Sequence, residues 1–164
     1  MNHIESLDYK SPSQWLFLLN YPLYIKSIDS ANSTLENFKN ISYSKNSVRM
    51  AFTFNNFNYK HIFLKEGKII GIDNITLSSP IYDIFYTLST IESTNLDIQS
   101  YYIKYFKSFI LEDYEKEWLY SLLYIPKLEI SNNESDNIKN IVLSLEYLKS
   151  SYEIIETLKN INLD

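Results

Sequence analysis

Apolar residues recur along the chain at two spacings, one typical of helices and one typical of strands. Behind Ser11-Pro12, apolar residues three and four positions apart predict a helix that continues to about residue 40. Pro22 lies inside this pattern and is expected to kink or split the helix, because proline lacks the backbone donor. In residues 48–54 every second residue is apolar, which predicts a strand with Val48, Met50, Phe52 and Phe54 on one face.

A second β element is predicted from two short apolar runs, residues 62–64 and 69–72, which flank Glu66-Gly67. Glycine readily takes the positive φ of a tight turn, so these runs are expected to form a hairpin. Asp73 follows the second run, where a carboxylate would face a ligand rather than the core. Ser79-Pro80 then predicts a helix start, with serine as the cap and proline in the first turn.

Helical spacing dominates the rest of the chain. Residues 81–91 and 96–111 and a segment from Asp113 to Pro126 are predicted to be helical, and 131–136 form a polar loop. A long amphipathic helix is predicted over 134–160, with an apolar stripe that packs either on the domain or on a partner. The members of this stripe are Ile138, Ile141, Leu145, Leu148, Tyr152 and Ile155. The predicted fold class is α+β and mostly α, with one domain over residues 1–164.

Composition narrows the functional classes. The net charge of −5, with no basic stripe, disfavours nucleic-acid binding, which needs phosphate neutralisation. The chain contains no Cys, which excludes disulfides and fits a reducing compartment. No apolar run approaches the length of a membrane span, and the first ten residues lack the order of a signal peptide. We therefore expect a cytoplasmic protein without membrane contact.

The hairpin, acid and helix start resemble the catalytic core of the aminoglycoside phosphotransferase/choline kinase-like family, which shares the protein-kinase fold. Ile72-Asp73 is similar to the metal-binding acid of that family, and residues 79–84 (Ser-Pro-Ile-Tyr-Asp-Ile) are similar to its Asp-Pro-x-x-Asp-Leu helix start. Specific matches lie in residues 61–84. The resemblance implies a kinase-like C-terminal helical lobe over residues 10–125, with Asp73 as the residue that binds metal and nucleotide and Asp83 as a structural acid that braces the catalytic loop.

The first half of the family motif is degraded. Phe54-Asn55-Asn56 stand where the family has His-Gly-Asp, so Asn56 occupies the position of the catalytic base although an amide accepts no proton at neutral pH. His61 stands where the family has a metal-binding Asn, and imidazole suits transition ions better than Mg²⁺. No glycine-rich phosphate loop exists, because the two glycines of the chain are Gly67 and Gly71.

Three functional hypotheses follow. The first is a degenerate kinase-like domain without independent catalysis, which acts as an interaction or regulatory module, needs no cofactor and binds a protein partner or a second copy. The second is a divergent small-molecule phosphotransferase that uses Asp73, assisted by His61 or Asn56, with Mg²⁺ and ATP. The third is an unrelated α-rich adaptor that assembles through the stripe of the last helix.

Simpler structural roles also fit the candidate site residues. Asp73 fits a turn or capping acid, and His61 a half-buried, hydrogen-bonded residue at the start of a strand. Asp83 fits a first-turn acid that is favourable to the helix dipole. The aromatic residues of 101–124 fit a core, or an exposed patch for a partner.

Overall fold

The computed structural model describes residues 9–55, 61–63, 65–70, 73, 75–90 and 104–161. The fold is α+β and mostly α, as predicted. A short helical stretch covers residues 104–108. The helices are α1 (Pro12–Tyr43), α2 (Ile81–Thr90), α3 (Asp113–Tyr124) and α4 (Glu134–Ile161), and the strands are β1 (Ala51–Thr53), β2 (Ile62–Phe63), β3 (Lys68–Ile69) and β4 (Thr76–Ser78).

The first helix begins where the sequence predicts, at Ser11-Pro12. The Ser11 hydroxyl accepts a hydrogen bond from the Gln14 N–H at 3.4 Å, and the Gln14 side chain accepts one from the Ser11 N–H at 2.9 Å. The predicted split at Pro22 is wrong, because α1 is a single helix from Pro12 to Tyr43 with Pro22 inside it. Buried Tyr24 and Ser27 follow the proline, so tertiary packing holds the helix together where one backbone hydrogen bond is missing.

The third helix is the centre of the core, since α1, α2 and α4 all pack against it. Its Leu119 and Leu123 are fully buried, as is Ile81 of α2. The helix begins at Asp113, as predicted, and its cap is Glu112, because the Glu112 and Glu115 side chains form a reciprocal capping box. The helix ends at Tyr124, two residues before Pro126, as predicted.

The last helix uses its apolar stripe inside the chain. Leu148 is fully buried and Ile141 and Ile155 are nearly so, while the remaining three positions of the stripe are half-buried. Of the predicted interaction face at Ile138, Ile141, Leu145, Leu148, Tyr152 and Ile155, the last four residues pack in the two core clusters of the chain, as the intrachain alternative expects. The use of this stripe to bind a partner stays a prediction. The last helix packs against α1 and α3, because an amphipathic helix must remove its apolar side from water.

Within the described residues, the β structure consists of two separate antiparallel pairs. The predicted hairpin pairs β2 with β3, and Gly67 has a φ of +60° in its turn. In the second pair, β1, which lies within the predicted segment 48–54, pairs with β4. Phe52 of β1 is opposite Leu77 of β4. The sequence pattern predicts no strand between Asp73 and Ser79, so β4 is an element that only the structure reveals.

A carboxylate joins the N-terminal ends of α1 and α4. Glu134 accepts hydrogen bonds from the Ser13 N–H at 2.6 Å and from the Ser13 hydroxyl at 2.8 Å. These bonds hold the pKa of Glu134 below its ordinary value, and the bond from the Ser13 backbone has the larger effect. No helix in the described part of the chain is long and apolar enough to cross a membrane.

Truncating the buried side chain in Leu148→Ala should lower the free energy of unfolding by roughly 2–5 kcal/mol, because it leaves a cavity between α4 and α1. Leu143→Ala, at a half-exposed position of the same helix, is the matched control and should change it by no more than about 0.5 kcal/mol. Urea denaturation of both variants measures the difference. Equal losses would contradict the assignment of Leu148 to the core.

The hydrogen bonds from Ser13 to Glu134, which join α1 to α4, predict that the stability of the fold depends on pH. A carboxylate with a lowered folded-state pKa stabilises the fold above its unfolded-state pKa, and this stability is lost as the pH falls through the folded-state value. Glu134→Gln should therefore be less stable than wild type near about pH 6, and the gap should narrow towards about pH 3. Glu146→Gln, at an exposed position of α4, controls for the lost charge. A gap independent of pH would argue against the bond.

Candidate functional site

The first feature of the site is a loop that the carboxylate of Asp83 holds in place. Asp83 lies in the first turn of α2, and it accepts hydrogen bonds from the backbone N–H groups of Phe54 at 2.8 Å and Asn55 at 2.9 Å. Two backbone donors bound to one carboxylate fix the chain directly after β1, since such charge-assisted bonds are stronger than neutral ones. Asp83 therefore does more than favour the dipole of its own helix.

The loop is also held by side-chain hydrogen bonds around Asn55. This residue has a φ of +57°, a left-handed conformation that asparagine tolerates better than most residues. Its Nδ2 donates to Thr76 Oγ1 at 2.5 Å, and its Oδ1 lies 3.1 Å from Thr53 Oγ1 and 3.3 Å from Ser78 Oγ. The asparagine thus links the end of β1 to the neighbouring strand β4. Sequence reasoning missed this network, because isolated Thr, Ser and Asn residues give no distinctive spacing.

The remaining predicted site residues are less closely associated with this loop. Asn56, at the position of the catalytic base, lies outside the described residues. Asp73 is exposed after β3, and His61 is half-buried at the start of the hairpin, where its carbonyl accepts the Ile70 N–H at 3.0 Å. Within the described ranges, no group of three or more His, Asp or Glu residues is arranged to hold a metal ion. Asp73 remains a predicted ligand, with the exposure that a ligand needs.

An ion pair with a fully buried glutamate positions the strand that leads into the loop. Glu115 of α3 is fully buried, and its Oε1 accepts a hydrogen bond from Arg49 Nε at 2.9 Å while its Oε2 contacts Arg49 Nη2. The hydrogen bond from Arg49 to Glu115 raises the pKa of the guanidinium, which remains charged. The Arg49 N–H also donates to the Tyr114 hydroxyl at 2.9 Å. Residue 49 is therefore fixed two residues before β1 begins.

The β1–β4 pair has an unusual distribution of polar and apolar side chains. On its inward face, Thr53 is 1% exposed and lies 2.5 Å from the Ser78 hydroxyl. On its outward face, Phe52 is 79% exposed and Leu77, directly opposite, is 61% exposed. We call this outward surface, together with the partly exposed Met50 and Ile75, the ribbon face. The sequence predicted that Met50 and Phe52 share a face but not that this face is exposed.

Comparison of the chain with protein-family models, with curated proteins and with solved structures finds no match.

The Asp83 contact predicts a specific loss of stability. Asp83→Ala should lower the free energy of unfolding by roughly 2–4 kcal/mol, since two backbone donors lose a charged acceptor. Hydrogen exchange of the Phe54 and Asn55 amides should accelerate more than exchange in α4, which NMR can measure residue by residue.

Asp73→Ala is the matched control, because it removes an exposed carboxylate from the same region. We expect it to change the free energy of unfolding by no more than about 0.5 kcal/mol and to leave the two amides protected. Similar effects of the two substitutions would show that Asp83 does not brace the loop.

Proposed function

We propose that this chain is a kinase-like helical lobe that works as a non-catalytic interaction module. The observation that carries the proposal is the β1–β4 pair, which has an exposed apolar outer side and which Asp83 anchors directly after the end of β1. The kinase-like part is supported by the contact of Asp83 with the loop, because the family resemblance implies a bracing acid at this position. Exposed aromatic and aliphatic side chains in a rigid setting favour protein binding.

The chemistry of the loop favours binding over catalysis. An acid–base group typically contributes about 10²–10⁴-fold to a rate, and the sequence has Asn56 at the position where the family has its base. The amide of neighbouring Asn55 bonds to Thr76, Thr53 and Ser78, so it braces the structure. The Asn55 side chain therefore holds the conformation of this part of the loop.

A second candidate function, phosphotransfer, is favoured by one specific observation. Asp73 is exposed after β3, so a metal ion and a nucleotide could reach it, and the family resemblance implies a metal-binding acid at this position. In that case Asp73 would hold Mg²⁺ and ATP, with His61 or Asn56 assisting. Positioning and charge stabilisation supply most of the catalysis in phosphoryl transfer, so a weak activity is chemically conceivable without a base.

We also propose a cytoplasmic location, for which the support is the absence of Cys from the chain. The acidic net charge of −5 supports a partner other than nucleic acid. A protein partner or a second copy of the chain is compatible with a cytoplasmic location and with the acidic net charge.

Calorimetric titration separates the two functions. ATP and ADP, with Mg²⁺ and then with Mn²⁺, should give no saturable heat with the folded wild-type protein, because an interaction module retains no complete nucleotide site. Asp73→Ala should behave in the same way.

Micromolar binding by wild type that Asp73→Ala abolishes would contradict the non-catalytic proposal and establish the phosphotransferase alternative. Circular dichroism of both proteins confirms that they are folded. Asp113→Ala, which removes another exposed carboxylate at the start of α3, is the charge-matched control and should leave any such binding intact.

A further inference from the structure

A cavity at the N-terminal ends of α1 and α4 has the size of a small-ligand site. It encloses about 230 Å³, and the segment that connects α3 to α4 forms its third side. Its apolar wall contains Phe17, Leu128, Ile130 and Ile141. Since an apolar cavity of about 150 Å³ is enough to hold benzene, this one has room for a benzene ring with a short substituent.

The wall that residues 128–130 contribute is held in place by α4. Asn140 Nδ2 donates to the Glu129 carbonyl at 3.1 Å. The Asn137 side chain accepts from the Ser131 N–H at 2.7 Å and donates to the Ser131 carbonyl at 2.9 Å. The cavity is therefore formed before a ligand arrives, which lowers the entropic cost of binding.

The charge of the lining is negative. Glu129 and Glu134 both line the cavity, and none of the described residues around it is Lys or Arg. Glu134 accepts one hydrogen bond on each carboxylate oxygen, from the Ser13 N–H and the Ser13 hydroxyl. A carboxylate has about four acceptor positions, so both oxygens can accept a further donor from a ligand.

Glu134 also determines which sign of charge the cavity accepts. Its bond to the Ser13 N–H uses one of the free donors at the start of α1 and offsets the partial positive charge of that helix end. The same contact lowers the pKa of Glu134, so the carboxylate is ionised at neutral pH. An anionic ligand would meet two negative side chains, whereas a cation complements them.

We propose that this cavity binds a small organic cation, a protonated primary amine that carries an aromatic ring. The ammonium group donates to Glu134 in a charge-assisted hydrogen bond, and the ring packs on the apolar wall. Ile130, which is 87% exposed, loses contact with water when the ring lies against it. The inference goes beyond the proposed function and does not rest on it, because the β1–β4 pair contributes nothing to this cavity.

Titration of benzylamine into ¹⁵N-labelled protein at about pH 7 tests the site by NMR. The amide signals of Phe17, Ile130 and Ile141 should shift saturably, with a dissociation constant on the order of 1 mM for a ligand of this size. Benzyl alcohol has the same shape without the charge and should bind about tenfold more weakly. Benzoate, an anion, should give no saturable shift.

Two substitutions remove the charges one at a time. Glu134→Gln should weaken benzylamine binding about tenfold, because the ammonium group loses its charged acceptor. Glu129→Gln affects an exposed side chain and leaves the Ser13 contact intact, and it should weaken binding about twofold. Glu156→Gln, at an exposed position near the other end of α4, is the matched control and should leave binding unchanged.

Three results would overturn the inference. They are the absence of saturable shifts at the cavity residues, equal affinity for benzyl alcohol and benzylamine, and an unchanged benzylamine affinity in both Glu134→Gln and Glu129→Gln. The amide spectrum of each variant shows whether it is folded, and Glu129→Gln tests the charge even where Glu134→Gln loosens the contact between α1 and α4. A failure here is separate from a failure of the proposed function, which nucleotide binding alone would reveal.

Discussion

The ion pair between Arg49 and Glu115 is the constraint on which the position of β1 depends. Glu115 has no exposure to solvent whereas the Arg49 side chain is 33% exposed, so removal of Arg49 would leave an unpaired carboxylate buried in the core. The same carboxylate accepts the Glu112 N–H and so caps its own helix, α3. One side chain therefore begins the central helix and fixes the chain where it enters β1. The Asp83 contacts then fix the chain where it leaves that strand.

Elements with a long repeating pattern were predictable from the sequence, and elements defined by tertiary contacts were not. The helices α1 and α4 and the β2–β3 hairpin follow directly from apolar spacing and from Gly67. The continuity of α1 through Pro22 was not predictable, because packing against α3 outweighs the local cost. Strand β4 has only three residues, which are too few to show an alternating pattern in the sequence. Its pairing with β1 defines it as a strand.

The candidate site was likewise predictable where a sequence pattern exists and not where tertiary contacts decide. The Ser-Pro-x-x-Asp pattern placed Asp83 at the start of a helix, but its partners are backbone N–H groups that no side-chain pattern encodes. The alternation in 48–54 grouped Met50 and Phe52 correctly, yet which face of a strand meets water depends on what lies beneath it. In the fold, hydroxyl groups lie beneath β1, and the apolar stripe of α4 is buried elsewhere. The exposure of Phe52 and Leu77 is therefore a feature that the alternation alone does not predict.

We propose that this chain presents a braced surface for binding rather than a nucleotide site. Titration of Mn²⁺–ATP into ¹⁵N-labelled protein tests it most directly, because the paramagnetic ion broadens the amide signals of nearby residues. The account predicts that the signals of Asp73, Asn55 and the β2–β3 hairpin broaden no more than those of distant α4. Selective broadening around Asp73 at low Mn²⁺–ATP would contradict it and would place a metal–nucleotide site on the lobe.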